Sequence, residues 1–170
     1  DGHNWTMGAY ATDYLEKNWP TSYGGRGGTY PGEGKREIAN NKQFLWDVCL
    51  AKGVTFRSYG VFVDGNKPAV PDLKGNFCEK YIGWDMSIRD TVRFRWWKND
   101  FDSLLAAGKL PSLTTIRMGN DHTEGLNLKK PTPFAHVADN DLALGLFVEH
   151  INKSPIWKES LILIVEDDAQ

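Results

Sequence analysis

The sequence predicts an α/β fold, a mostly parallel sheet flanked by helices. Three observations carry that expectation. Strand-like and helix-like segments alternate along most of the chain. Stretches rich in Gly or Pro separate them. The last element, Leu161-Ile162-Leu163-Ile164-Val165, is an unbroken apolar run, the pattern of a strand covered on both faces.

In order along the chain, residues 1–20 mix polar groups with His3, Trp5, Tyr10, Tyr14 and Trp19 and show no clean period. Tyr23-Gly24-Gly25-Arg26-Gly27-Gly28 and the residues up to Gly32 can only be loop. A short helix is predicted over 43–52, with Phe44, Leu45, Val48 and Cys49 on one side and Gly53 as its stop. Residues 54–63 read as a strand that runs into the turn Asp64-Gly65-Asn66. After a loop over 64–87, the best helical period covers 88–107: Ile88, Val92, Trp97, Phe101, Leu104 and Leu105, closed by Gly108. A second strand is predicted at 113–118. A loop with Pro131 and Pro133 leads to a helix over 139–153, apolar around much of its circumference and so expected to be buried.

At 170 residues and 41% hydrophobic content the chain suits a single domain with a real core. Twenty basic and 22 acidic side chains leave a net charge of −2, which argues against a general binder of nucleic acid or membrane surface. No stretch is long and apolar enough to span a bilayer, and there is no repeat or low-complexity run. Seven Trp residues must fill a core or line a pocket. Cys49 and Cys78 are open to two readings, a disulfide or two buried thiols.

In open α/β sheets chemistry gathers beyond the carboxyl ends of strands. Two predicted strand ends are loaded. One leads into Gly119-Asn120-Asp121-His122-Thr123-Glu124-Gly125, the other into Glu166-Asp167-Asp168. Three consecutive acids in a confined place repel one another, and a divalent cation resolves this by taking their oxygens. The plainer reading is a solvated loop and a helix cap. Asp121 and His122 are ordinary metal ligands, or a turn whose Asp serves local amides. His3, in Asp1-Gly2-His3-Asn4-Trp5, is a lesser candidate, since a lone His is more often structural. His150 falls on an apolar helical face, where packing is expected, and His136 carries no signal either way. Gly24-Gly25-Arg26-Gly27-Gly28 lacks the preceding strand and the closing Lys-Ser/Thr of a phosphate loop. No Gly-x-Ser-x-Gly elbow exists to anchor a serine-hydrolase triad.

Several of these blocks together resemble the bacterial phosphoesterase family of the alkaline phosphatase superfamily, which includes acid phosphatase and phospholipase C relatives. They are Asp1-Gly2-His3-Asn4-Trp5 continuing through Ala9-Tyr10-Ala11-Thr12-Asp13-Tyr14 and the glycine stretch; Asn120-Asp121-His122-Thr123; Ala138-Asp139-Asn140-Asp141 with Ala143-Leu144-Gly145; and Glu166-Asp167-Asp168-Ala169-Gln170. They stand in the family's order and span the chain. The resemblance implies an alkaline phosphatase-like layered fold and a hydrolase in which divalent metal (zinc, manganese, calcium or magnesium) activates a Ser or Thr nucleophile. By that analogy Asp167 and Asp168 are metal ligands with Glu166 beside them. Asp121 and His122 help bind metal or phosphate, and His3 lines the same pocket. The family's nucleophile lies just upstream of the Asp-Gly-His block, so residues 1–170 are expected to be an internal piece of a larger catalytic domain, inactive alone. Thr6 is near, with nothing to support it as a substitute. A phosphoester substrate and a periplasmic or secreted location follow from the resemblance only.

A rival expectation belongs to another class. With the nucleophile outside these residues and with Trp5, Tyr23, Tyr30 and Trp84 expected on the surface, the chain also suits an inactive alkaline phosphatase-like domain that binds glycans or a partner protein. A nucleotidyl or sulfuryl transferase of the same superfamily shares the metal logic.

Overall fold

A computed structural model describes residues 2–22, 41 and 43–166 of the chain. The glycine stretch from Tyr23 to Gly32, and the acids Asp167 and Asp168, lie outside the described residues. The architecture is mixed α/β: a small parallel sheet with helices packed against it.

The aperiodic N-terminal stretch forms two helices, α1 (Gly2–Gly8) and α2 (Asp13–Ser22). Thr12 caps α2, its hydroxyl accepting the Leu15 N–H at 3.2 Å. Asn41 ties the join down by donating from Nδ2 to the Tyr10 carbonyl at 2.5 Å. Helix α3 (Leu45–Lys52) starts where the Asp47 carboxylate accepts the Phe44 N–H at 2.7 Å, and it ends on Gly53 at φ 66°.

The predicted strand over 54–63 is broken into two. Phe56–Tyr59 forms β1, then Gly60 (φ 81°) and Phe62 (φ 51°) take left-handed backbone that no ladder accommodates. The chain resumes as a hairpin of β2 (Val63–Asp64) and β3 (Lys67–Pro68) around the expected Gly65-Asn66 turn. Strand β4 (Leu113–Ile116) pairs parallel to β1, with Phe56 opposite Leu113 and Tyr59 opposite Ile116. A single parallel bridge from Ser58 to Phe77 widens this sheet on its other edge.

Alternation along β1 sorts the core into two clusters. Phe56 joins Phe44, Trp46, Cys49, Phe62, Val63, Leu73 and Phe77 on one side. Tyr59 joins Tyr81, Phe94, Trp97, Phe101 and Phe147 on the other. The second cluster is the seam between α4 (Asp90–Ala106) and α5 (Pro133–Asn152), since Phe94, Trp97 and Phe101 repeat at helical spacing along one stripe. Burying each such ring contributes about 2–3 kcal/mol. His150 closes the seam, packed on Trp97 at 5.7 Å and hydrogen-bonded to Asp102 at 2.6 Å, as a packing role requires. Cys49 and Cys78 are buried free thiols, one in each cluster.

Two expectations need correction. Helix α5 starts six residues earlier than predicted, because Thr132 caps it from Oγ1 and Pro133 takes the first helical position. It is also less buried than its composition suggests. Only His136, Ala143 and Phe147 are buried, and Leu142 is 58% exposed. The run at 161–165 forms no strand: no other described segment pairs with it, and Leu161, Leu163, Ile164 and Val165 are exposed. Apolar character makes a segment fit for a buried strand, but pairing needs an edge in register. No helix is long and apolar enough to cross a membrane among the described residues.

Candidate functional site at the end of the second sheet strand

Beyond β4 the chain turns sharply into a short 3-10 helix, Asn120–His122. What holds this turn is a buried carboxylate on α4. Asp90 is fully buried and accepts the Gly119 N–H at 3.1 Å, the Asn120 N–H at 2.8 Å and Asn140 Nδ2 at 3.0 Å. Arg93 Nε lies 3.4 Å from it, and burial among protein atoms still holds the Asp90 carboxyl above its ordinary range against those favourable contacts. Arg93 is itself fixed, donating to the carbonyls of Ile82, Gly83 and Asp85. One turn along, Thr91 Oγ1 donates to Asp139 at 2.7 Å. The Asp139-Asn140 pair of α5 thus reads directly onto the first turn of α4, and through Asp90 onto the turn after β4.

On that platform Asp121 and His122 face solvent. The His122 Nδ1 lies 2.9 Å from the Thr123 carbonyl. A carbonyl only accepts, so Nδ1 is the donor here; in the neutral imidazole that leaves the lone pair on Nε2. Thr123 reaches this position with φ 58°, a conformation costing about 1–3 kcal/mol in a residue with a Cβ. Orienting one imidazole nitrogen through a carbonyl on the other is how proteins aim histidine ligands at metals. Asp121 and His122 supply oxygen and nitrogen donors suited to zinc or manganese.

Trp84 stands beside the turn. Its indole meets the His122 ring edge-on at 5.1 Å and carries the Arg117 guanidinium at 4.5 Å. Two glycines make room. A Cβ at Gly83 would lie 1.9 Å from the Val63 carbonyl, and one at Gly119 would lie 3.1 Å from the indole. His3, on α1, belongs to the same neighbourhood. Burial first, and then the nearby Arg117 cation, pull its imidazole down to about 3, so it is neutral at physiological pH.

His3 thus lies within electrostatic reach of Arg117, the cation seated on the ring that His122 meets. Glu166 is exposed in a segment without regular secondary structure, and Asp167 and Asp168 are outside the described residues. Among the described residues no three His, Cys, Asp or Glu side chains gather into a metal-holding group. Thr6 donates its hydroxyl to the Gly2 carbonyl at 2.9 Å, a helix back-bond. Sequence reasoning missed Asp90, Arg93 and Arg117. Asp90 could have been found as an acid at a helix start, but nothing in its spacing says that it reaches across to residues 119–120. His136 is buried on α5, and its Nδ1 has no hydrogen-bond partner among the described residues.

No family model, curated protein or solved structure matches the chain.

Proposed function

We propose that the chain forms part of the catalytic domain of a divalent-metal-dependent phosphoester hydrolase, a phosphatase or phosphodiesterase with alkaline phosphatase-like layering, exported to the periplasm or beyond. The observation that carries this reading is the aimed His122: Nδ1 tied to the Thr123 carbonyl, Nε2 left as a ligand, and Asp121 adjacent, on a turn fixed by Asp90. Asp121 and His122 would hold the metal, with Glu166, Asp167 and Asp168 completing its shell. Bound there, the ion would supply Lewis acidity for a phosphoryl oxygen and for the Ser or Thr nucleophile, which the resemblance places before Asp1. His3, held neutral, lines the pocket and donates or accepts a hydrogen bond without adding charge.

Isothermal calorimetry with zinc, manganese, calcium and magnesium tests the metal site. Wild-type chain is expected to bind at least one ion, and both His122→Ala and the Asp167→Ala, Asp168→Ala double variant are expected to weaken it by roughly tenfold or more. Equal affinity in all three proteins removes these residues from the site. In the parent polypeptide, hydrolysis of a phosphoester that survives loss of Asp167 or Asp168 removes the catalytic assignment.

A second reading is favoured by the exposed rings Trp5 and Trp84, 51% and 40% accessible. It is an inactive domain of the same class that binds a glycan or a protein partner. A parent polypeptide with no Ser or Thr close before Asp1, and no hydrolysis with any metal, supports it.

A further inference from the structure

The loop that leaves the turn after β4 begins just past His122 and runs to the cap of α5 at Thr132. It carries Leu126 and Leu128, and Phe134 follows in the first turn of α5. These side chains are 94%, 101% and 91% exposed, more than any other large apolar group among the described residues. One exposed leucine is ordinary, but three such groups so close in the chain mark a contact surface.

The loop is built to hold them out. The Asn127 N–H donates to the Glu124 carbonyl at 3.4 Å and the Lys130 N–H to the Asn127 carbonyl at 3.0 Å, so two turns follow one another. Asn127 Oδ1 also accepts the Lys129 N–H at 3.1 Å. Lys130 Nζ lies 3.0 Å from the Glu124 carboxylate and closes the base. Leu126 and Leu128 are inner residues of the two turns, on either side of Asn127.

Shape and charge select the partner. A side chain as exposed as Leu128 is covered by no other described residue, so the apolar groups project singly and do not form a flat patch. A protein partner would need a separate pocket for each, whereas lipid closes around any of them. Lys129 is exposed, and beyond Glu124, which Lys130 neutralises, the next acid in the sequence is Asp139. Apolar tips beside lysine match an interface with anionic headgroups above hydrocarbon, the lysine stems lying along the boundary. The net charge of −2 argues against adsorption by the whole surface, but a local wedge does not depend on it.

We infer that residues 126–134 are a membrane-contact element, whose Leu126, Leu128 and Phe134 insert among the headgroups of an anionic bilayer and bring the neighbouring Asp121–His122 turn to the lipid surface. The phosphoester reading is not needed for this, since insertion requires neither metal nor a reacting group.

The test sediments the whole chain, in the presence of a chelator, with sucrose-loaded vesicles of mixed phosphatidylcholine and phosphatidylglycerol. Wild type is expected in the vesicle pellet, and the Leu126→Ser, Leu128→Ser double variant is expected to bind roughly tenfold or more weakly. Lys129→Gln should weaken binding by roughly fivefold on these vesicles and hardly at all on pure phosphatidylcholine. Leu128→Trp should tighten it, because an indole prefers the headgroup level; this gain cannot come from misfolding. Wild type that stays in the supernatant, or a double variant that pellets as well as wild type, overturns the inference. So does a wild-type dimer in analytical ultracentrifugation that the double variant abolishes, which would make the loop a contact between copies. The two proposals fail separately. Vesicle binding without any ion affinity keeps the loop and removes the metal hydrolase, whereas ion affinity at His122 without vesicle binding does the reverse.

Discussion

The turn after β4 and the segment at 160–166 both begin as predicted strands with an acid beyond their ends, Asp121 and Glu166, and end in opposite states. The first is fixed from below. Its strand is paired along β1, and its turn hangs from Asp90, which accepts three N–H donors within a seam of buried rings. The second has no regular secondary structure and lies bare, with Leu161 83% and Leu163 77% exposed. The difference teaches that an apolar strand pattern makes a site only where a second element reaches in with a polar anchor. Preorganisation resides in Asp90 and Asn140, not in the acids that would face a ligand.

The largest test of this contrast is Asp90→Ala. It strands the amides of residues 119 and 120 and leaves Arg93 without its buried counter-ion, so a loss of about 3–5 kcal/mol is expected in urea unfolding. A loss under about 1 kcal/mol would mean the turn holds itself and would end the contrast. A middle-sized effect comes from pH. The folded His3 titrates near 3, well below the 6.5 of an unperturbed imidazole. The unfolded chain thus binds the extra proton across that window, and His3 contributes stability that is complete above 6.5 and lost as pH falls toward 3. Imidazole proton NMR should show His3 titrating near 3, and His3→Gln should flatten the acid limb of the stability curve. Asp90 has the opposite sign. Its raised carboxyl favours the protonated folded state, so its ionisation subtracts stability as pH rises from the ordinary carboxylate range through its own raised titration. The smallest effect is expected at the bare segment: Leu163→Ser should change stability by no more than about 0.5 kcal/mol. A larger loss would show that this segment is buried in solution.

The elements most legible in the sequence were those whose period matched a packed face. Trp97 and Phe101 announced α4, and Gly53 announced the end of α3. The strand pair was visible as Phe56 and Leu113 segments, though the left-handed Phe62 hid where β1 stops, because no residue type demands that conformation of a phenylalanine. Residues 161–165 misled for a physical reason: composition encodes the wish to be buried and says nothing of a partner. Asp121 and His122 were legible as donors at a strand end. Their support was not, since Asp90 acts across a gap of thirty residues in sequence.

The parallel pairing of β1 with β4 also sets an order of events in time. In a chain made from its N-terminus, Phe56 and Tyr59 emerge well before Leu113 and Ile116, and a parallel partner cannot be met by a tight turn. Closing that long span costs entropy, which the ladder and the docking of α4, whose Asp100 accepts from Arg57 and Tyr59 of β1, repay together. Nascent β1 therefore waits with its edge unpaired, as a surface that a chaperone or a second nascent chain can occupy first. Yield of this protein should depend on how quickly α4 follows it from the ribosome.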